Sequence, residues 1–374
     1  MNLLIILSLL FIQSILKIPL VFDKKSIHAI GFYNVENLFD LEDNPNLLND
    51  EKLPFSDKRW TNQVYSEKID NLSRVISEIG FDETNSLPTI IGLCEVENKD
   101  VVKDIVESKH LKFGNYGISH FDSPDERGID VALIYRKEFF KIINEKNILL
   151  EIYDSENKKR DYTRDQLLVE GELKGEKIYF IVNHWPSRFG GELKSRSSRN
   201  EAARLNKYII DSLQNINQES KIITMGDFND DPINESLNII LQAKGEKDSL
   251  KILDLYNPYY KKFIMGEGTL KYRGKWNLFD QIIITKSLLD KKSNGFYFLS
   301  ANIYNKEYLI NQDGNYKGYP YRSFAGGNFI KGFSDHLPIY ILIRMNEDNR
   351  YYNIYNDLRF NNIINSTISN FKYA

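Results

Sequence analysis

The sequence predicts an α/β fold with mixed sheets, built as one domain. Three observations carry this reading. Short apolar runs suited to buried strands recur from His28 onward. Some are separated by segments of helical spacing and others by turns, which asks for sheets of mixed direction. No Pro- or Ser-rich linker and no internal repeat interrupts residues 26–345. At 374 residues, 42% apolar and 27% charged, the chain has ample material for one large core.

The elements follow in order. Residues 1–25 open with MNLLIILSLLFIQSIL, in which Lys17 is the first charge. The run is short for a membrane span and suits the apolar region of a signal peptide or an anchor. It sets the expectation of export: periplasmic, secreted or membrane-anchored. No Lys or Arg precedes the run and no small-x-small cleavage site follows before Asp23, so a buried helix in a cytoplasmic protein stays open. HAIGFYNV reads as a strand. YSEKIDNLSRVISEIG places Ile69, Leu72, Val75, Ile76 and Ile79 at helical spacing. PTIIGLCEVEN is a buried strand ending in acids, GIDVALIYR is another, and KIYFIVN runs into HWPSR. SRNEAARLNKYIIDSL reads as a helix, and KIITMGDF, FDQIIIT and HLPIYILI as strands. Residues 346–374, rich in Asn, Tyr and Ile, form a tail without clear period.

One pattern recurs where strands end. FYNVEN sets Asn34 and Glu36 two apart, on one side of an extended chain, and GLCEVEN does the same with Glu95 and Glu97. Asp130 opens a strand. Asn183-His184, Asp227-x-Asn229, Asp280 and Asp335-His336 each adjoin a run apolar enough to be interior. Two carboxylates about 4 Å apart repel by ~4 kcal/mol at an effective dielectric near 20. If these strands are neighbours, something positive must hold the acids together, and a hard divalent cation with oxygen ligands is the economical candidate. The histidines suit proton transfer. Taken singly, Asn34 and Asp230 read as turn or cap residues, Glu97 as a solvated charge, Asp130 as a loop cap, and His28, His110 and His120 as surface or packing histidines.

The totals exclude other classes. The formal net charge is −3, so a polyanion would have to be met by a local patch or a metal. Cys94 is the only cysteine, which rules out an intramolecular disulfide and a cysteine zinc cluster. It sits mid-strand and reads as buried, leaving no candidate cysteine nucleophile.

In order, NVEN, CEVEN, RGIDVALIYR, NHWPSR, GDFND, WNLFDQI and SDHLPIY resemble the motifs of the endonuclease/exonuclease/phosphatase superfamily, from about Gly31 to Ile343. FYNVENLFD and NHWPSRFGGE look most like its bacterial secreted or envelope-associated endonucleases. The resemblance implies a deoxyribonuclease I-like four-layer α/β sandwich: two mixed β-sheets packed face to face, helices outside, the site at one end. It implies Mg²⁺, or Mn²⁺ in its place, with Glu95 as principal ligand and Asn34, Glu36 and Asp335 as helpers. His336 resembles the histidine beside the scissile phosphate, either a general base or a stabiliser of the charged state, with Asp280 as its carboxylate partner. Asp227 and Asn229 resemble the pair that orients the attacking water and contacts the phosphate. His184 resembles a second histidine, with Asp130 as its buttress, and Arg164 resembles an arginine on the phosphate.

Arg188, Lys194, Arg196, Arg199 and Arg204 crowd one stretch. They read either as a solvated loop and helix start or as a basic rim that steers a polyanion, with Arg188 on the substrate. The expectation is a Mg²⁺-dependent phosphodiester hydrolase, first of all an endonuclease on DNA or RNA. The alternatives are a phosphatase or phosphodiesterase on inositol phosphates, lipid head groups or nucleotides, and a non-catalytic binding protein. Nucleic acid or a small phosphate ester is the expected partner, no obligate protein partner is implied, and a monomer is expected.

Overall fold

Alternation along the strands decides the architecture. A computed structural model describes residues 26–42, 60–153, 159–292 and 295–346. The apolar opening segment 1–25 and the tail from 347 lie outside them. No helix among the described residues is long and apolar enough to cross a membrane.

The first sheet has six strands: β1 (Ile27–Leu38), β2 (Ile90–Val96), β3 (Tyr116–His120), β4 (Asp130–Arg136), and the last two strands of the chain, which close it at the far side. The second has seven: β5 (Phe140–Ile148), β6 (Gln166–Leu173), β7 (Glu176–His184), β8 (Lys221–Asp227), β9 (Ala243–Lys244), β10 (Leu255–Tyr256) and β11 (Asp280–Thr285). The closing strands are β12 (Gly295–Ile303) and β13 (Ile339–Asn346). The spatial orders are β12-β13-β1-β2-β4-β3 and β9-β10-β11-β8-β7-β6-β5. Both are mixed, with β1 parallel to β2 and β8 parallel to β7 inside otherwise largely antiparallel neighbours.

On β1, β7, β8, β11 and β13 every second side chain enters one core between the sheets: Ile30 and Phe32; Ile178, Phe180 and Val182; Ile223 and Met225; Ile282 and Ile284; Ile339, Ile341 and Ile343. The opposite face of the first sheet packs on the helices α1 (Asn62–Glu78) and α2 (Lys99–Glu107), through Leu72, Val75, Ile76, Val101 and Ile105. The opposite face of the second packs on α3 (Glu192–Ile216), through Ala202, Ala203, Ile209 and Ile210. The result is the four-layer α/β sandwich that the family resemblance implied, with the mixed sheets that the sequence pattern predicted. α3 starts at Glu192, six residues before the stretch the sequence marked as helical.

The sheets approach closely near one end. A Cβ on Gly92 of β2 would come within 2.7 Å of Met225 Sδ on β8. Gly226 faces Asn183 across the β7–β8 pair, and a Cβ there would lie 2.3 Å from the Asn183 carbonyl oxygen. Asn183 itself is tied into a buried polar set. Its amide donates to Thr224 Oγ1 at 2.9 Å and Met225 O at 3.0 Å, and its Oδ1 accepts from Asn206 of α3 at 2.9 Å. These bonds lock the ends of β7 and β8 to the helix behind them.

Candidate active site

The inner rows that fill the core turn polar at their last positions. Asn34 continues Ile30 and Phe32, His184 continues Phe180 and Val182, Asp227 continues Ile223 and Met225, and Asp280 lies on the row of Ile282 and Ile284. Pairing brings three of them into one row across the second sheet, because Asp227 is the register partner of His184 on one side and of Asp280 on the other. The same alternation that packs the core therefore aims these four side chains into the seam between the sheets.

Glu36 and Glu95 arrive differently. The sequence pattern treated each as part of an extended i, i+2 pair. In the structure both β1 and β2 lose regular register there, between Asn34 and Leu38 and between Cys94 and Val96. Glu36 and Glu95 adopt φ of +52° and +63°. Bulges of this kind re-aim a side chain next to a site, and two non-glycine residues held in the left-handed region mark it as strained. Glu97 turns away and accepts from Asp40 N at 2.6 Å, so the expected Glu95–Glu97 pair is not a pair in space.

The contacts are dense. His336 Nδ1 lies 2.7 Å from Asp280 Oδ2, and its Nε2 lies 3.7 Å from Asp227 Oδ2. That same Asp227 oxygen accepts from Asn34 Nδ2 at 3.1 Å and lies 3.8 Å from His184 Nε2. His184 Nε2 is also 3.8 Å from Glu95 Oε1. Asn229, at φ +50°, sends its backbone N–H to Asp227 Oδ1 at 2.9 Å and its Nδ2 to Trp185 O at 2.9 Å. Asp227, Asp280 and His336, all buried, form one of two groupings among the described residues whose ligand atoms could meet on a metal ion. The other is His120, Asp122 and Asp130.

Burial and charge push the titrating groups apart. Burial opposes the charged form of His336, but Asp280 and Asp227 outweigh it and hold the imidazole well above its ordinary range. Burial, then Arg164, Arg127 and His336, holds His184 well below it. Burial pushes the Asp227 carboxyl up to about 7, with His336 opposing and Asp280 reinforcing. Burial, then Asp335, pushes Glu36 to about 7 as well. Two histidines of opposite bias around one carboxylate form an acid–base arrangement of the kind active sites use.

Several expected residues are engaged in ways the sequence did not foretell. Glu36 Oε1 meets Arg322 Nε at 3.0 Å and its Oε2 accepts from Ser323 N at 2.6 Å, while Arg322 also lies 3.3 Å from Asp335. Glu95 Oε2 accepts from Asn37 N at 2.9 Å, with Arg127 at 3.7 Å. Arg322, Arg127 and Lys68 were missed. Lys68 is fully buried and donates to the Glu36 carbonyl; a signal existed, since it sits on the apolar stripe of Tyr65, Leu72 and Val75. Arg164 is buried and bound to Asp125 at 2.9 Å and Trp185 O at 2.8 Å. Asp130 does not buttress His184: it is held by Ser123 N at 2.8 Å and by His120 Nε2 at 3.2 Å.

The basic rim is corrected. Arg199 is fully buried, 2.7 Å from Asp230, and Arg188 reaches Asn229 O at 2.9 Å and Asp230 at 3.0 Å. Arg196 and Arg204 pair with Glu192 and Glu201. Asp230, read as an ordinary turn acid, is thus the buried hub that holds the GDFND turn on α3, with Ser236 Oγ at 2.6 Å. Cys94 is buried and free, and burial pushes its thiol well up, as expected of a residue without a nucleophilic part.

The donor set fits a hard divalent ion. The hard oxygen donors such an ion needs are present in Asp227 and Asp280, whereas Glu95, Asn34, Glu36 and Asp335 lie outside both metal-capable groupings, with Arg322 against Glu36 and Asp335 and Arg127 against Glu95. A family model described as the Endonuclease/Exonuclease/phosphatase family matches residues 29–345. Among solved structures, a humanized D. rerio TDP2 is 14% identical with a TM-score of 0.50, over 86% of this chain and 100% of its own. A mannosyl-6-phosphatase of Bacteroides thetaiotaomicron is 16% identical at 0.50, over 84% and 99%. An endonuclease/exonuclease/phosphatase family protein of the same organism is 15% identical at 0.50, over 86% and 95%. At such identities the likeness is one of fold. No curated protein matches the sequence.

Proposed function

We propose, from the premise that this chain belongs to the endonuclease/exonuclease/phosphatase family, that it is a Mg²⁺-dependent phosphodiester hydrolase acting on nucleic acid by direct attack of water. The observation that carries the reading is the buried row His184–Asp227–Asp280 with His336 seated against it.

The geometry supports the following roles. Asp227 faces both histidines and has its backbone neighbour Asn229 fixed to it, which suits a group that orients the attacking water. Asp280 orients the His336 ring through Nδ1 and, with Asp227, favours its charged form, which suits an Nε2–H directed toward the phosphate. Asn229 and the half-exposed Arg127 and Arg322, which lie against Glu95 and Glu36, are the donors this reading assigns to the phosphate oxygens. Glu95, Asn34 and Asp335, with Glu36 behind them, would hold Mg²⁺. The ion supplies charge neutralisation on the phosphate and the leaving oxygen. The reaction then depends on alignment rather than on a covalent nucleophile.

A second reading, a phosphatase on small phosphate esters, is favoured by the pairing of Arg196, Arg199 and Arg204 with Glu192, Asp230 and Glu201, which offsets much of the positive charge of that stretch. A fold neighbour named a mannosyl-6-phosphatase is in keeping with it. The test is incubation of the purified protein with plasmid, single-stranded DNA, RNA and a panel of phosphate mono- and diesters, in Mg²⁺ or EDTA. Strand cleavage that disappears in EDTA and in His336→Ala supports the first reading. Phosphate release from small monoesters with every nucleic acid intact would establish the second instead.

A further inference from the structure

The acid-paired arginines of α3 leave open where a polyanion would be gripped. A different surface has the required character. Residues Leu270–Tyr272 and Lys275–Asn277 form a two-stranded hairpin with the two-residue turn Arg273–Gly274, both at positive φ. Its base is attached to the site itself: Leu270 bridges to His336, and Leu337 N donates to Thr269 O at 2.8 Å. From Leu270 to the turn is about 10 Å at ordinary strand rise.

The hairpin carries Lys271, Arg273 and Lys275, and the adjoining segment adds Lys317. Among the described residues none of these four has a carboxylate at ion-pair distance, in contrast to Arg188, Arg196, Arg199 and Arg204. Aromatic rings are interleaved with them. Tyr272 and Tyr316 are 61% and 64% exposed, so large apolar faces are presented to solvent beside cations without a carboxylate partner, of which Lys271 donates to Gly318 O at 3.2 Å. The Arg273 guanidinium lies 5.2 Å from the Tyr272 ring, and Lys271 Nζ lies 4.9 Å from the Tyr319 ring. Gly274 N donates to the Tyr319 hydroxyl at 2.6 Å, which joins the hairpin turn to the Tyr316–Tyr319 segment.

We infer that this hairpin and the Tyr316–Tyr319 segment are a platform for single-stranded nucleic acid, gripping its phosphates with Lys271, Arg273, Lys275 and Lys317 and stacking its bases on Tyr272 and Tyr316. The inference rests on the phosphodiesterase reading for its purpose, since the platform delivers the strand to His336. Unpaired cations alternating with exposed rings suit a strand whose bases are free to stack. A duplex buries those faces, and a small ester needs no surface of this extent.

The test is fluorescence anisotropy of a labelled 15-residue oligothymidylate against the full chain, in Mg²⁺ and in the His336→Ala background so that the strand stays intact. Tyr272→Ala weakens binding about tenfold. Arg273→Gln with Lys275→Gln lowers the slope of log affinity against log salt by roughly 1.4, from about 0.7 per phosphate contact on single strands. Arg204→Gln, on the acid-paired stretch, leaves that slope unchanged. Unaltered affinity and slope in the hairpin variants would overturn the platform. So would binding to phosphatidylglycerol vesicles without binding to the oligonucleotide, which would assign the surface to lipid. Because binding is read without turnover, a protein that grips the strand through the hairpin yet hydrolyses no ester keeps the platform and loses the catalytic reading. One that cleaves strands with the hairpin variants binding normally does the reverse.

Discussion

His336 Nδ1 and Asp280 Oδ2 stand 2.7 Å apart, both buried, and Asp280 is at the same time the register partner of Asp227. One carboxylate thus orients the histidine and borders the residue the histidine faces. Asp280→Asn keeps the shape and removes the negative charge that holds the His336 imidazole protonated and oriented. Hydrolysis of a chromogenic phosphodiester should fall by about 10²- to 10⁴-fold in kcat. Thermal stability should change little by comparison.

Gly226→Ala should be costly although it adds one methyl. The new Cβ would sit 2.3 Å from the Asn183 carbonyl, in the backbone of the neighbouring strand, where no side chain can swing aside. A loss of roughly 1–3 kcal/mol in urea unfolding is expected. Activity should fall further than stability alone would require, because the strain lands one residue before Asp227.

Arg199 and Asp230 form a fully buried ion pair 2.7 Å apart. Arg199→Met leaves the buried Asp230 with Arg188 as its remaining cation, so the loss should fall below the roughly 3–5 kcal/mol of a fully stranded charge. Asp230→Leu should cost more in denaturant titration, since it takes that carboxylate from Arg199, Arg188 and Ser236 together.

His28 predicts an acid-sensitive fold. Burial, then Lys174 and Arg136, lowers its pKa from an ordinary 6.5 to about 3. The unfolded chain therefore binds a proton below pH 6.5 that the folded chain refuses until about pH 3. Its contribution is present above 6.5 and lost as pH falls between those values. From pH 7 to pH 5 the loss is about 2 kcal/mol. His28→Gln should flatten the stability profile by about that amount relative to the parent, as measured by urea unfolding at the two values.

The fold was legible because alternation and helical spacing are local properties. The runs around Phe32, Leu93, Val182, Met225 and Ile341 all became strands of one core. The hairpin strands β5 and β6 were less visible, since the exposed Lys141, Asn144 and Glu145 on β5 dilute the apolar pattern at a sheet edge. Asp227, Asp280 and His336 could be named from their motifs, and the core-facing alternation does bring them together. Bulges leave no mark in the sequence, so the extended spacing that pairs Asn34 with Glu36 and Glu95 with Glu97 is one these residues do not have. Ion pairing leaves none either: nothing in a string of arginines says that Arg199 is buried on Asp230 while Arg273 faces solvent unpaired.

The close approach of Gly92 to Met225 has a further consequence. Glu95 stands three residues beyond Gly92 on one sheet, and Asp227 two beyond Met225 on the other. The two halves of the site therefore belong to separate slabs whose gap is set by a missing side chain. A methyl added at Gly92 would press on the Met225 side chain at 2.7 Å and the Phe32 ring at 3.1 Å, and so strain the packing that joins the two halves of the site. Turnover in this protein should accordingly respond to the distance between its two sheets well before the fold itself gives way.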